Sequence, residues 1–287
     1  ESFDDVLVSM KSSNTRVMIQ SVRMLVHQMK QEVMAYPLHL GLTEAGDGLE
    51  GRIKSVVGMA PLLLEGMGDT IRVSLTEAPE AELPVAAQIV RLFPKPAQLP
   101  YDPLSNQAWD PFSFSRRRTH SIKGLGNGTR VKIISPNPPD PISDLKPKDL
   151  QGCTIGYDLW VKDTQKQTSG EFILILEKGE CSIQELKARL IHFCSINSTA
   201  PILFKSSSQT LDPDSFRIQL AGELGALLVD GILDGVWVEN PNMSTSMMND
   251  TLLIILQAAR ARITRTEYIA CPSCGRTHFD ILSRLKE

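Results

Sequence analysis

Hydrophobic and polar positions alternate with two different periods along the first ninety residues. Short apolar segments of strand type occupy residues 4–11, 36–46 and 69–77. Apolar positions recur about every 3.6 residues over 16–31, 51–65 and 79–92, which predicts helices. Strands that alternate with helices pair in parallel through helical crossovers. The pattern predicts part of a (β/α) barrel or of a doubly wound sheet.

Residues 94–150 have a different character, because they hold more than half of the eighteen prolines, with many Ser, Asn and Gly. This composition predicts a long irregular connection. The α/β pattern resumes at residue 151, with strands expected at 171–177 and 200–205, helices at 182–195, 213–226 and 244–262, and two short strands within 225–240 around Gly231 and Gly235. We therefore expect one α/β unit over 1–93, the connection over 94–150, a second unit over 151–265, and a short final segment over 266–287.

The bulk composition excludes several classes of protein. The formal net charge of −3 and the pI of about 6.0 give no general attraction to nucleic acid or to anionic membranes. No apolar run approaches the ~18 residues of a membrane helix. Five scattered cysteines do not form the disulfide framework of a small secreted protein, so a reducing compartment is expected.

Functional groups stand at the ends of the three strands predicted in the first unit. They are Lys11, Ser13 and Asn14 after the first strand, Glu44 after the second, and Arg72 and Ser74 at the third. Side chains at the carboxyl ends of parallel strands converge on one rim, where ligands bind. A lysine, an arginine and hydroxyls suit a phosphate or diphosphate, and a carboxylate could orient the ligand or move a proton. The alternative is a set of ordinary polar loop residues.

His39 lies inside the second predicted strand. A histidine in a strand is more often a packed, hydrogen-bonded core residue than a catalyst, because its donor needs only a buried partner. We expect the core role for His39.

Cys271 and Cys274 form a Cys-x-x-Cys pair close to the last residue. This spacing brings two thiolates to one metal, and both a structural zinc site and an iron–sulfur cluster need further ligands. His278 could be a third ligand, although a surface role is the simpler interpretation. A redox dithiol is a further alternative. The pair alone does not choose between zinc and iron–sulfur.

A basic run lies in the irregular connection, with Arg116, Arg117 and Arg118 followed by Lys123, Arg130 and Lys132. A solvated loop is the default interpretation of such a run. Clustered guanidiniums also bind phosphate well, so docking of a phosphate or of a partner is the alternative.

Four strings occur in order: VSMKSSN, PLHLGLTEAG, GRIKSVVGMAPLLLEGMGDTIRVSLTE and ACPSCGRTHFDI. Together they closely resemble the 4-hydroxy-3-methylbut-2-enyl diphosphate synthase family of the methylerythritol phosphate route to isoprenoids. About 200 residues separate Ser74 from Cys271, which is similar to the family's large-insert form. The resemblance implies an α/β fold with the C-terminal part of a (β/α)8 TIM barrel at 1–93, a linker, an α/β insert domain at 151–265, and the start of an iron–sulfur cluster domain at 266–287.

The resemblance also implies a reaction, a reductive ring opening and dehydroxylation of 2-C-methyl-D-erythritol 2,4-cyclodiphosphate with a [4Fe–4S] cluster. Motif matching implies that Lys11, Arg72 and Ser74 bind the diphosphate, with Ser13 and Asn14 beside them, and that Glu44 lies at the reacting carbons. Cys271 and Cys274 match the first two cluster ligands. The third cysteine and a glutamate of the family's pattern have no match here, so we expect a fragment of a longer protein that is inactive by itself.

The family implies ferredoxin or flavodoxin as the electron donor, a homodimer in its shorter members, and no nucleic acid or membrane as partner. It is found in the bacterial cytoplasm and the plastid stroma. Two other functions stay open on the residues alone. One is a zinc-stapled barrel enzyme with phosphate-binding, non-redox chemistry, and the other is an interaction domain that docks a partner through the 94–150 connection.

Overall fold

The computed structural model describes residues 5–105, 108–141, 144–163, 172–196 and 199–267. Its first part contains α1 (Thr15–Gln31), β1 (His39–Gly41), α2 (Gly48–Leu64), β2 (Thr70–Arg72), a 3₁₀ turn (Pro79–Ala81) and α3 (Glu82–Leu92). Its second part contains β3 (Lys132–Ile134), a 3₁₀ turn (Pro147–Leu150), β4 (Thr154–Gly156), α4 (Tyr157–Lys162), β5 (Ile173–Glu177), α5 (Ile183–Ser195), β6 (Ile202–Ser207), α6 (Pro213–Leu228), β7 (Gly235–Glu239) and α7 (Thr245–Ala258).

Several helices begin where a side chain accepts hydrogen bonds from their first backbone N–H groups. The side chain of Asn14 accepts from two N–H groups of α1. Ser182 and Glu185 form a capping box at α5, and Asp212 caps α6. These contacts satisfy donors that a helix leaves unpaired, which is why the predicted helix starts agree closely with the structure.

The first sheet pairs β1 with β2 in parallel, with His39 opposite Thr70 and Gly41 opposite Arg72. The strand predicted at residues 4–11 is reduced to one parallel bridge between Val8 and Leu38. A parallel strand is normally paired and covered on both sides, but the described chain supplies a neighbour to this segment only on the β1 side. The arrangement agrees with a part of a TIM barrel rather than with a closed one.

The second sheet has five parallel strands in the order β3-β7-β6-β5-β4. The edge strand β3 lies inside the segment that the prolines marked as irregular, and it pairs with β7 from Lys132 opposite Gly235. A three-residue strand is too short to produce a recognisable apolar period. The proline-rich composition around β3 therefore predicted an irregular segment in its place.

The strand predicted at the start of 225–240 is wrong, because these residues are the last turn of α6 and the loop after it. Eleven residues of α6 are buried, and they lie on every side of the helix. A helix buried all round lacks the one-sided apolar stripe from which a helical period is read. Only the second half of the prediction is confirmed, as β7.

Helix α6 is buried all round because α2 and α3 of the first part also pack against it. A Cβ at Gly225 would lie 3.2 Å from Cα of Val57, and one at Gly222 would lie 2.1 Å from Cζ of Phe93. Glycine therefore permits the close approach. One hydrophobic core runs through both parts of the chain. None of the helices in the described ranges has the length and hydropathy to span a lipid bilayer.

Four charged side chains are buried where the two parts meet, and we call Arg23, Glu65, Lys187 and Asp230 the buried ion cluster. Arg23 contacts Glu65 and Asp230 at 2.6 Å each, and Lys187 contacts Glu65 at 2.6 Å and Asp230 at 3.1 Å. Burial alone would raise the pKa of Asp230, but Arg23 and Lys187 outweigh it and lower that pKa below its ordinary value. Two cations thus neutralise two anions in a site without solvent.

We expect Lys187→Met to lower the free energy of unfolding by about 3–5 kcal/mol, because it leaves two buried carboxylates to share one guanidinium. Urea unfolding of the chain at neutral pH measures the change. Lys95→Met is the matched control, since the Lys95–Asp69 pair is 49% and 45% exposed and such pairs contribute about 0–1 kcal/mol. Equal losses in the two variants would contradict a special role for the cluster.

Candidate functional site

The ends of three parallel chain segments lie side by side in the first part of the structure. The N–H of Val8 donates to the carbonyl of Pro37, and the N–H of His39 donates to the carbonyl of Val8, at 2.9 Å each. The N–H of Thr43 donates to the carbonyl of Ser12 at 3.3 Å, so the first segment stays beside β1 past the strand end. Strand β2 follows on the other side of β1.

The segment ends carry the residues that the sequence singled out, namely Lys11, Ser13 and Asn14 after Val8, Glu44 after β1, and Arg72 and Ser74 at and after β2. All leave their segments in the same direction, so the topology agrees with a common rim. Lys11 and Arg72 are exposed, and Ser74 is buried. Among the described residues neither cation makes an ion pair, which leaves both charges available to an anion.

Asn14 also has a structural task, because its Oδ1 accepts from the N–H groups of Arg16 at 3.1 Å and Val17 at 3.4 Å. Asn14 therefore fixes the start of α1 at the rim. The first N–H groups of a helix carry partial positive charge, which adds to the field that Lys11 contributes on the same segment.

The loop that carries Glu44 is fixed from both sides. The N–H of Thr76 donates to the carbonyl of Gly46 at 2.9 Å, and the N–H of Gly51 donates to the carbonyl of Asp47 at 3.0 Å. A Cβ at Gly51 would lie 2.5 Å from the carbonyl oxygen of Gly46, so helix α2 presses directly on the loop. Glu44 itself has a φ of 55°, a conformation that non-glycine residues seldom adopt. Such backbone strain is typical of functional sites.

His39 is the rim residue that the sequence analysis did not select. A Cβ at Gly41 would lie 3.7 Å from Nε2 of His39 and 3.7 Å from Cβ of Arg72, so the imidazole and Arg72 share one face. Nδ1 of His39 lies 2.8 Å from Oγ1 of Thr70. The expected hydrogen bond exists, but the expected core position is wrong because the side chain is only half-buried. His39 and Gly41 are two residues apart and so lie on the same face of β1. This spacing was the signal in the sequence that could have assigned His39 to the rim.

The pKa of His39 is lowered by partial burial and by the positive charges of Lys11 and Arg72. This lowering of the pKa favours the neutral form of the imidazole. A bound anion that screened Lys11 and Arg72 would raise this pKa again, because it would remove the repulsion that opposes protonation.

Two arginines of the basic run contact residues that precede strands of the second sheet. Arg116 donates to the carbonyl of Leu233 at 3.2 Å, and Arg117 donates to the carbonyl of Ala200. Both guanidiniums also lie beside the buried carboxyl of Asp234, at 3.5 and 3.6 Å. Arg116 and Arg117 thus attach the connection to the amino-terminal end of the second sheet, so the solvated-loop interpretation is wrong for these two residues. Docking of a phosphate or of a partner by the basic run stays a prediction.

The cysteine pair, Cys271 and Cys274, and the third-ligand candidate His278 lie outside the described residues. Within the described ranges no group of three or more His, Cys, Asp or Glu side chains could hold a metal ion. Cys153, Cys181 and Cys194 are free thiols there. Two thiolates at Cys-x-x-Cys spacing fit one half of a cluster or zinc site by their chemistry.

Parallel strands connected by helices define the chain as an α/β protein with part of a (β/α) barrel. Residues 1–87 match the model of the GcpE TIM-barrel domain. This match covers the segment that carries Lys11, Glu44, Arg72 and Ser74.

Curated relatives are similar to the whole chain. Proteins named 4-hydroxy-3-methylbut-2-en-1-yl diphosphate synthase (flavodoxin) from Bacteroides thetaiotaomicron and Chlamydia caviae are each 32% identical to it, over 100% and 99% of this chain. The protein of the same name from Chlorobaculum tepidum is 31% identical over 98% of this chain. The aligned part is 56%, 55% and 54% of these relatives, so the chain spans little more than half of their length.

We expect Lys11→Met to raise the pKa of His39 towards its ordinary value, because it removes one of the two charges that oppose protonation. An NMR titration of the imidazole resonances between pH 4 and 8 measures the shift. Lys178→Met, in the second part of the chain, is the matched control and leaves the titration unchanged. The same pKa in all three proteins would show that Lys11 does not act on His39 at the rim.

Proposed function

We propose that the natural protein containing this chain converts 2-C-methyl-D-erythritol 2,4-cyclodiphosphate to 4-hydroxy-3-methylbut-2-enyl diphosphate. The reaction takes two electrons, opens the ring and removes one hydroxyl group as water. The observation that carries the proposal is the placement of Lys11, Glu44, Arg72 and Ser74 at adjacent ends of parallel segments. The names of the relatives support the same reaction, and they do not support the zinc-binding, non-redox alternative.

The cations of the rim would bind the diphosphate. Lys11 and Arg72 are exposed, come from two different segments, and make no ion pair among the described residues. Charge-assisted hydrogen bonds from ammonium and guanidinium groups to phosphate oxygens are shorter and stronger than neutral ones. The hydroxyls of Ser13 and Ser74 and the side chain of Asn14 would complete the contacts on the same rim.

Glu44 would act at the reacting carbons. Its loop is held by α2 on one side and by the segment after β2 on the other, so the carboxylate has a fixed origin. Within the described residues no hydrogen bond or ion pair occupies the side chain, so it can accept a hydrogen bond from a substrate hydroxyl or hold a proton. His39, on the face of β1 that it shares with Arg72, could donate from one ring nitrogen without adding charge when its imidazole is neutral.

Cys271 and Cys274 would supply two ligands of a [4Fe–4S] cluster, which delivers the two electrons to the substrate when bound. The relatives are named with flavodoxin, and we propose flavodoxin rather than ferredoxin as the donor. We also propose a bacterial cytoplasmic protein. The division into a barrel portion at 1–93, a linker, an insert at 151–265 and the start of a cluster domain at 266–287 stays a proposal, as does the homodimer.

Arg72→Met tests the anion site. We expect the substrate KM to rise and kcat/KM to fall by about 10–100-fold, since a hydrogen bond to a charged group contributes about 1.5–3 kcal/mol. Anaerobic turnover of the cyclic diphosphate with reduced flavodoxin gives both constants. Arg118→Met, at an exposed arginine of the connection, is the matched control, and equal effects of the two changes would contradict the rim assignment.

Cys271→Ser tests the cluster. We expect the unaltered protein, purified without oxygen, to hold iron and acid-labile sulfide in equal amounts and to show cluster bands in visible and electron paramagnetic resonance spectra. The variant loses both signals, because a serine hydroxyl does not replace a thiolate ligand at neutral pH. Zinc without sulfide in the unaltered protein would overturn the redox proposal.

A further inference from the structure

The last residues that the structure describes leave α7 and cross to the first part of the chain. We call residues 260–267 the exit segment. Its final residue, Glu267, is held by two cations: Nζ of Lys54 lies 2.6 Å from Oε1, and Nη2 of Arg260 lies 2.6 Å from Oε2. Each carboxylate oxygen thus has its own cation. Lys54, Arg260 and Glu267 form what we call the exit clamp.

Lys54 indicates that the clamp is specific. It lies in α2, where every residue from Ile53 to Leu64 is buried, and its own side chain is 8% exposed. Lysine is almost never buried unless it is paired, because an unpaired ammonium loses its hydration. Its ion pair with Glu267 supplies that pairing across 213 residues of sequence. The buried lysine therefore depends on the exit segment for its stability.

The clamp and the candidate catalytic loop share one helix. Helix α2 begins at Gly48, directly after the Glu44 loop, and Lys54 lies less than two turns further on. Gly51 stands between them and presses on the carbonyl of Gly46. Helix α2 therefore contacts both the Glu44 loop and, through Lys54, the exit segment. If Glu267 lost its contact with Lys54, the exit segment could shift relative to the Glu44 loop.

The exit segment is held a second time at its start. Oε1 of Gln257 accepts from the N–H groups of Thr264 at 3.1 Å and Arg265 at 2.9 Å. The hydroxyl of Thr15, the first residue of α1, donates to the carbonyl of Ala258 at 2.6 Å. The end of α7, from which the exit segment leaves, is thus tied to the start of α1, and the exit segment itself is tied to α2 through Glu267 and Lys54.

We propose that Lys54, Arg260 and Glu267 are positioning residues that set where the chain bearing Cys271 and Cys274 leaves the rim of the barrel. This inference rests on the proposed function. Cys271 is the fourth residue after Glu267 in the sequence, and a span of four residues reaches at most about 14 Å. The clamp therefore limits the distance between the first cluster ligand and the Glu44 loop, which the electrons must cross to reach the substrate.

The test compares Lys54→Met, Glu267→Gln and the double variant in the natural protein, each with its cluster. We expect all three to bind unaltered amounts of iron and sulfide and to keep KM within about twofold, because no clamp residue touches the substrate. We expect kcat to fall about tenfold or more in each single variant, since misplacing reacting groups by about 1 Å can cost up to about 100-fold. The double variant falls no further than the worse single one, because both changes break the same contact.

Arg265→Gln is the matched control on the exit segment. The Arg265–Glu50 pair is 46% and 55% exposed and 3.1 Å long, so its loss should leave kcat unchanged. Hydrogen exchange of the amides of residues 263–267 provides a measurement that does not depend on turnover. We expect faster exchange in Lys54→Met and Glu267→Gln than in Arg265→Gln, with or without the cluster.

An unchanged kcat in Glu267→Gln, or additive losses in the double variant, would overturn the inference. If Lys54→Met does not fold, Glu267→Gln still tests the inference, because the Glu267 side chain is 23% exposed and its substitution disturbs the core less. Failure of the proposed function is seen separately, as a lack of turnover or of cluster signals in the unaltered protein. In that case the exchange measurement still decides whether the clamp holds the exit segment.

Discussion

The structure depends on the pairing of two buried cations with two buried carboxylates between the parts of the chain. Arg23 comes from α1, Glu65 from the end of α2, Lys187 from α5 and Asp230 from the loop after α6, and the partners are up to 207 residues apart in sequence. An unpaired charge in this interior would cost several kcal/mol. All four elements must therefore meet in one arrangement, which fixes the second sheet on the barrel portion.

Close packing of α6 also holds the two parts of the chain together, in addition to the buried ion cluster. Helix α6 has an apolar surface on every side, and glycines at its contacts let it approach α2 and Phe93. Because α2 is clamped between α6 on one side and β1 on the other, it can serve as a rigid reference. Both the Glu44 loop, at its start, and the exit clamp, through Lys54, take their positions from this helix.

The cations of the molecule fall into two groups with different consequences. Arg23, Lys187 and Lys54 are buried and form ion pairs with carboxylates, so their charges are neutralised within the fold. Lys11 and Arg72 are exposed, and their effect is seen on the pKa of His39, which they help to lower. An anion at the rim would remove this repulsion, which supports the proposed diphosphate site.

The sequence by itself determined the strand–helix order of the first part and most helix starts, and it placed Lys11, Glu44, Arg72 and Ser74 at the ends of neighbouring parallel segments. These features are local, or follow directly from the rule that parallel strands end on one side. The four motif strings carry the resemblance to the 4-hydroxy-3-methylbut-2-enyl diphosphate synthase family without reference to the fold. The rim could be predicted because its residues lie at strand ends, where the position in sequence fixes the position in space.

Only the tertiary structure decided the end of α6, the place of β3, the exposure of His39 and the use of Arg116 and Arg117 at Asp234. Burial on all sides removes the helical period from α6, and three residues are too few to reveal β3. The partners of Arg23 and Lys54 come from distant parts of the chain, and no local pattern encodes a contact across some 200 residues. Such pairings exist only when the two parts of the chain have packed together.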